Sequence, residues 1–486
     1  MRDGAVKSNS VKSAVEREVK LTVDAGFRLP ALRGSRLPAK ILTSVYYDTP
    51  ELRLARSRIT LRHRTEGKRT VWQLKLPLES GRREVEMPGK ASTPPSQLLD
   101  LLFIHLQGAT VQPIVTLRTR RTGVRVGGSK GVEVVLDEVA VLRESSEVLI
   151  FREVEIERLD GDAALAARLE RTLRKAGATH HDGRPKMFRA LDLPAPRKPE
   201  PPQRGDPAGS HLRYILGRQL DIMMSRDPGV RLGGDIEDVH QMRVATRRLR
   251  SVLRVARPLL EPDWEKRLRD KLGWLGRRLG EARDLDVQID HFKAQSQDNP
   301  HDRTQLETFI SSLEKKRGKV QRRLMHHLQR PRYVALINRL IAAVQEPAIV
   351  PNDVRLPDLA GQAFKKLRQA VKRLDHSASD DKWHRVRIQT KRARYAAELS
   401  EWCSGRTARR FIDKIKLIQD QLGDIQDAVI AETHLRQFLS RNKGRKRLPF
   451  LANQMIQRQR RRRRQAKHAF FSTWKQVKKC GQEAWT

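Results

Sequence analysis

The sequence predicts an α+β protein in two parts, an antiparallel β-rich domain followed by an all-α domain that is internally duplicated. Three observations predict it. The N-terminal part alternates polar and apolar residues in short runs, the period-two pattern of half-buried strands. The C-terminal part carries long segments of helical period with almost no β-branched alternation. Between them, LPAPRKPEPPQRGDPAGS, from Leu193 to Ser210, is too proline-dense for either.

The expected division is a flexible tail over 1–12, a β-rich domain over 13–195, a Pro-rich linker over 196–207 and a helical domain over 208–486. Strand signals are VEREVKL at Val15, SRITLRHR at Ser57, TVWQLKL at Thr70, RREVEM at Arg82, VEVVLDEVAV at Val132 and FREVEIERL at Phe151. Helical patterns interrupt them at Pro95–Leu106 and Ala163–Ala176. In the second part, VHQMRVATRRLRSVL at Val239 matches WHRVRIQTKRARYAA at Trp383. RRLGEARDLDV at Arg277 likewise matches DQLGDIQDAVI at Asp420, at nearly the same offset. Two blocks recurring at one offset mark a duplication, expected over about 211–345 and 358–480 as two pseudo-equivalent helical bundles.

Charge narrows the function. Lys plus Arg is 99 against 57 for Asp plus Glu, a net charge of +42. Residues 1–210 hold 38 basic and 26 acidic residues, and 211–486 hold 61 and 31. Such a field concentrates polyanions, with nucleic acid, acidic membrane and inorganic polyphosphate as candidates. The two cysteines offer neither a disulfide framework nor a Cys-rich zinc site. No apolar run approaches the roughly 20 residues of a membrane span, and Met1–Lys12 lacks the apolar centre of a signal peptide, so a soluble cytoplasmic protein is expected.

Along the strands, charges repeat at every second residue and so fall on one face. Glu16, Glu18 and Lys20 do this, opposite Val15, Val19 and Leu21; so do Arg62 with Arg64, Glu84 with Glu86, Arg118 with Arg120, and Glu153 with Glu155. Lys75 takes the equivalent place beside Gln73. For one strand this describes a wet sheet face. For the set, a sheet curled shut with charges inward makes a tunnel lined by both signs. A divalent cation on the carboxylates, with a phosphate chain on the Arg forks and Lys, would satisfy both.

On the helix that begins near Asp238, His240, Arg243, Arg247, Arg250 and Arg254 follow a 3-4-3-4 spacing and form one stripe. Met242, Ala245, Leu249, Val252 and Ala256 lie roughly opposite. The duplicate helix repeats the stripe with His384, Arg387, Lys391 and Arg394. Stripes without acids read as a polyanion track. RQRRRRRQAK, from Arg458 to Lys467, continues the basic surface. Aromatics do not interleave with the stripes and no helix-turn-helix appears, which gives nucleic acid little to stack on or be read by.

The run Glu16-x-Glu18-x-Lys20, YYDTPELRLARSRITLRHR at Tyr46, QLK ending at Lys75, LRTRR at Leu117, LDEV with Asp137, EVE at Glu153–Glu155 and PKMFRAL with Lys186 and Arg189 resembles the CYTH family of triphosphate tunnel enzymes. The resemblance covers nearly all of 13–195. It implies an eight-stranded antiparallel tunnel that hydrolyses triphosphates with Mg²⁺ or Mn²⁺. It implies a catalytic set of Glu16, Glu18, Lys20, Arg62, Arg64, Lys75, Arg118, Arg120, Asp137 and Lys186, with Glu16, Glu18, Glu153 and Glu155 on the metal and Glu84 and Glu86 as helpers. Pro185 departs from the serine this family often places before the lysine. The duplicated helices and LGxxxD blocks resemble the CHAD family, over roughly 208–480. That resemblance implies a polyphosphate-binding groove lined by His240, Arg243, Arg247, Arg250, His384, Arg387, Lys391 and Arg394. The expected function is therefore metal-dependent hydrolysis of inorganic triphosphate or a related triphosphate by a protein that also binds polyphosphate, with association to polyphosphate granules. A non-catalytic polyphosphate-binding protein, a nucleic-acid binder and an adenylate cyclase are the alternatives.

Overall fold

The computed structural model describes residues 12–78, 81–91, 93–144, 146–159, 163–195, 199–233, 235–297, 303–351, 353–441 and 448–485. The tail expected over 1–12 lies outside them up to residue 11, and Lys12 already opens the first strand. The chain forms two compact units, residues 1–198 and 199–486.

In the first unit, β1 is Lys12–Glu16, β2 Glu18–Val23, β3 Ser35–Asp48, β4 Thr60–Glu66, β5 Arg69–Pro77 and β6 Arg82–Pro88. Then come β7 Gln112–Val126, β8 Val132–Arg143, β9 Ser146–Arg158 and the two-residue β10, Thr179–His180. Short helices are α1 Arg53–Arg56, α2 Ser96–Leu101, α3 Phe103–Leu106, α4 Ala163–Lys175 and α5 Lys186–Ala190. The strands form one antiparallel sheet in the order β1-β6-β5-β4-β3-β7-β8-β9-β2-β10.

β1 pairs with β6 while β2 pairs with β9, yet only Arg17 separates β1 from β2. One nearly continuous segment thus joins one end of the sheet to β9 near the other, with only the two-residue β10 beyond it, and closes the sheet into a barrel. Ten strands are present where eight were expected. The difference is the break at Arg17, whose carbonyl still accepts from the Arg158 amide, and the added β10.

Closure decides what each face meets. The apolar positions of β2, β8 and β9, among them Leu21, Val134, Val154 and Ile156, pack outward against Leu169 and Leu173 of α4. The alternate positions face the lumen. Near one end the lumen is apolar: Tyr46, Leu117, Val139 and Val141 pack with Met187 and Phe188 of α5, which plugs it. The positive φ of Gly183 (79°) makes the tight turn that leads into this plug.

The second unit is helical: α6 Ala208–Leu232, α7 Ile236–Val255, α8 Pro262–Gln297, α9 Arg303–Leu328 and α10 Pro331–Gln345. The second half holds α11 Leu356–Lys372, α12 Asp380–Leu399, α13 Glu401–Arg441 and α14 Leu448–Trp485. α7 packs between α6 and α8, and its counterpart α12 between α11 and α13; the halves meet where α7 lies against α12. Asp235 caps α7 by accepting from the Glu237 amide, with Glu237 and Asp238 favourable in the first turn. Met242, Ala245, Leu249, Val252 and Ala256 are all buried. Gly405 (φ 63°) kinks α13. Among the described residues no helix is long and apolar enough to cross a membrane.

Candidate functional site

The register brings the lumen charges into contact. Lys20 is opposite Glu155 and Glu18 opposite Glu157 on the β2–β9 pair; Asp137 is opposite Glu153 and Arg121 on its two neighbours. The Lys20 ammonium lies 2.5 Å from Glu155 Oε1, 3.3 Å from Glu18 Oε1 and 3.5 Å from Glu153 Oε1. From the plug, Lys186 Nζ reaches Asp137 Oδ2 at 2.5 Å, Glu155 Oε1 at 3.0 Å and Glu153 Oε1 at 3.3 Å. Arg189 donates to Glu153 Oε2 at 3.2 Å. Burial works against the charge of Glu153 and Glu155, but Lys186 and Lys20 outweigh it and hold both carboxyls below their usual range. The same partners raise Lys20 and Lys186 in spite of burial.

The facing wall is basic. Arg62 donates to Gln73 Oε1 at 2.8 Å and to the Tyr46 hydroxyl at 3.1 Å. Arg64 shares its face and is pushed down to about 10 by burial, then by Arg62 and Arg121; its Nε is buried without a hydrogen bond. Lys75 lies 3.9 Å from Glu84, and Glu86 accepts from Gln73. Cations crowded together without enough carboxylates form a seat for a polyanion.

Two expected residues do not join this lumen. Arg118 and Arg120 project from the outer face of β7, exposed, and Arg118 pairs there with Glu147. Arg121 takes the inward place instead: its fork bonds Asp137 at 2.8 and 2.6 Å and its Nη2 reaches Glu155 Oε2 at 2.5 Å. Three arginines within four residues leave the parity open, and only pairing to β3 and β8 fixes it. Glu16 stands opposite Arg82 in register, and its side chain lies outside the described residues. His181 had no sequence signal. It is buried; its Nδ1 accepts from the Gly183 amide, so the Nε2–H faces Glu153 Oε2 at 3.5 Å.

In the helical unit the stripes of α7 and α12 converge where the helices meet. Lys391 is pushed down to about 6 by burial, then by Arg387, Arg247 and Arg243. Arg387 is lowered by burial and Arg247, and the Nε atoms of Arg247 and Arg387 are buried without hydrogen bonds. His240 is lowered by burial and then by Arg283, a cation of α8 that sequence reasoning did not single out. Gly280 of the LGxxxD block sits beside the Arg243 guanidinium, and one turn on Asp284 pairs with it at 2.8 Å. His384 Nδ1 is 3.1 Å from Gln426. Arg394 is tied to Glu398 at 2.8 Å, and Arg250 is exposed.

A closed antiparallel barrel with opposed acidic and basic walls, joined to a duplicated basic helical unit, defines a triphosphate-tunnel protein with a second, helical domain. The CYTH domain model matches residues 14–189 and the CHAD domain model residues 214–436. The chain belongs to the family that joins a CYTH domain to a CHAD domain. It is 30% identical over 476 residues to the uncharacterized Mycobacterium tuberculosis proteins Rv2226 and MT2285, covering 87% of this chain and 88% of each of those. Among solved structures it is similar to the CHAD domain from the plant Ricinus communis, at 24% identity and TM-score 0.47 over 57% of this chain and 94% of that one. PptA from Streptomyces chartreusis matches at 20% and 0.47, over 56% of this chain and 100% of that chain. HpAC1 from Hippeastrum, a putative adenylyl cyclase with a dominant triphosphatase activity, matches at 17% identity and TM-score 0.25, over 36% of this chain and 95% of that one.

Proposed function

We propose that the barrel hydrolyses inorganic triphosphate, or a related triphosphate, with Mg²⁺ or Mn²⁺, and that the helical unit binds polyphosphate. The observation that carries this is the presence, inside one barrel, of a carboxylate wall (Glu18, Asp137, Glu153, Glu155, tied to Lys20, Lys186 and Arg121) and a cationic wall on β4 and β5 (Arg62, Arg64, Lys75). Binding a polyanion alone would not call for the first wall. Among the described residues no three carboxylates stand ready around a cation, because Lys20 and Lys186 lie between them. The donor set nevertheless fits a hard cation: all oxygen, with Glu153 Oε1 buried and without a hydrogen bond. Glu18, Glu153 and Glu155, with Glu16 by register, would hold it. A cation there supplies water activation and polarises a phosphoryl oxygen. Arg62, Arg64 and Arg121 orient the phosphate chain, and Lys20 and Lys186 stabilise charge that develops on it. Met187 and Phe188 of α5 fill one end of the lumen, which would favour short chains over long ones.

Phosphate release by the purified protein from tripolyphosphate, ATP and long-chain polyphosphate, with Mg²⁺, Mn²⁺ or EDTA, tests this. Metal-dependent release favouring tripolyphosphate is expected. No release together with tight polyphosphate binding would make the protein a non-catalytic polyphosphate binder. Its place in the cell would then follow the polymer, in polyphosphate-rich bodies of the cytoplasm.

A further inference from the structure

Beside the first turn of α12 lies a cavity of about 820 Å³, lined by the approach to that helix (376–380), by α13 and by α14. It has no part in the tunnel chemistry or in the crossing of α7 and α12. Its basic side chains come from the Arg-rich run of α14: Arg460, Arg463, Arg464 and Lys467, with Arg436 from α13. Two carboxylates satisfy part of this charge. Glu432 takes Arg436 and Arg460, each at 2.9 Å, and Asp380 takes Arg463 at 3.0 Å.

Lys467 is the exception. It is only 8% exposed and, among the described residues, has no salt-bridge partner. Its ammonium has the carbonyls of Ala378 and His376 at 3.4 and 3.5 Å, and it lies 5.0 Å from the centre of the buried Trp383 ring. None of the stripe residues His384, Arg387 and Lys391 lines this cavity, although Trp383 lies one turn from Arg387 on α12. The Trp383 ring, the two carbonyls and the more distant carboxylates of Asp380 and Asp375 offset the burial of this ammonium only in part, so an anion beside it is favourable. The N-cap of α12, Ser379, makes no side-chain cap bond; the Lys382 and Trp383 amides donate to its carbonyl, which leaves the Asp380 and Asp381 amides as donors at the same wall, beside their own carboxylates.

We propose that this cavity is a phosphate-binding site separate from the α7–α12 stripe, with Lys467 as its buried anchor and Arg463 and Arg464 at its mouth. A phosphate group is the fitting anion: compact, up to doubly charged, and able to accept from an ammonium, guanidinium forks and amides together. Free orthophosphate and a phosphate of a polymer chain present that same chemistry.

The full-length chain is treated with acetic anhydride, and modification of Lys467 is followed by peptide mass mapping. Sodium chloride, orthophosphate and long-chain polyphosphate are compared at equal ionic strength. Phosphate should slow modification of Lys467 several-fold relative to chloride. R464Q, an exposed change that leaves the fold intact, should lose most of that protection. The stripe variant R247E/K391E should keep it. Equal rates in phosphate and chloride would overturn the proposal. So would protection by polyphosphate alone that disappears in the stripe variant, since the cavity would then be a continuation of the stripe. Protection by polyphosphate alone that survives in the stripe variant would support the site and identify the polymer as its source of phosphate.

Discussion

Lys20 and Glu155 are register partners on β2 and β9, and their charged ends meet at 2.5 Å inside the barrel. Glu155 also receives Lys186 and Arg121, so one carboxylate partners three cations. E155Q would leave them under-compensated, and breaking a buried ion pair costs about 3–5 kcal/mol. Thermal melting of E155Q should therefore show a barrel transition several degrees lower, with phosphate release abolished. Tripolyphosphate should restore part of the loss by replacing the missing charge. Polyphosphate binding by the helical unit should be unaffected.

The same carboxylates set an acid limit. Glu153 and Glu155 are held below their unfolded values, so they stabilise the fold above the ordinary carboxylate pKa of about 4. That contribution is lost as pH falls through the depressed values. Melting temperatures measured from pH 6 downward should decline below about pH 4, and more shallowly in E155Q.

Arg121 and Arg120 are neighbours with opposite fates. R121Q should lower kcat/KM for tripolyphosphate by roughly 10²–10³, the range for losing one positioned donor to a developing charge. R120Q, on the outer face, should leave it unchanged. A steady-state comparison of the two decides between inward and outward readings of β7.

His181 meets the proposed metal-holding set only through Glu153 and would act as a positioning residue. H181A should raise the Mg²⁺ or Mn²⁺ concentration for half-maximal turnover by about tenfold, a typical effect of removing a partner behind a ligand. H181Q, which keeps a donor, should recover part of it. A fall in kcat with unchanged metal dependence would remove His181 from this role.

Polyphosphate binding by the stripe, as proposed, should depend on pH through Lys391. Free, it loses its proton near pH 6; with a polyphosphate chain beside it, the ammonium is favoured and its pKa rises. Binding therefore takes up a proton above pH 6, and affinity should fall by up to about tenfold per pH unit on going from 6 to 8. Calorimetry in buffers of different ionisation enthalpy reads the uptake directly. K391M should bind more weakly and lose most of the slope, and unchanged affinity would remove the stripe as the binding track.

What the chain reveals before folding follows from how local each signal is. The tunnel's charged faces were legible because alternation at Glu16-Glu18-Lys20, Arg62-Arg64 and Glu153-Glu155 needs only the pleat of one strand. The duplication was legible because His240 and His384 open matching blocks. The inward place of Arg121 was not, since Arg118, Arg120 and Arg121 offer both parities and pairing across strands selects one. Closure through Arg17 was hidden for the same reason. His181 and Lys467 matter through burial, and neither a lone histidine nor the end of an arginine run announces that it will be covered.

The segment that closes the barrel is made well before the strands it pairs with on the far side of the sheet. β2 must wait for β9, 135 residues further along at Lys20–Glu155, and for β10, 157 residues along at Thr22–Thr179. During synthesis the nascent β1–β2 segment therefore has an unpaired edge until most of the first unit has left the ribosome, and the acidic wall does not exist until then. The alternating VEREVKL segment is guarded meanwhile by its own charges, Glu16, Arg17, Glu18 and Lys20, which discourage pairing with other chains. The residues read here as chemistry thus have an earlier task, keeping an open strand soluble until its partner arrives.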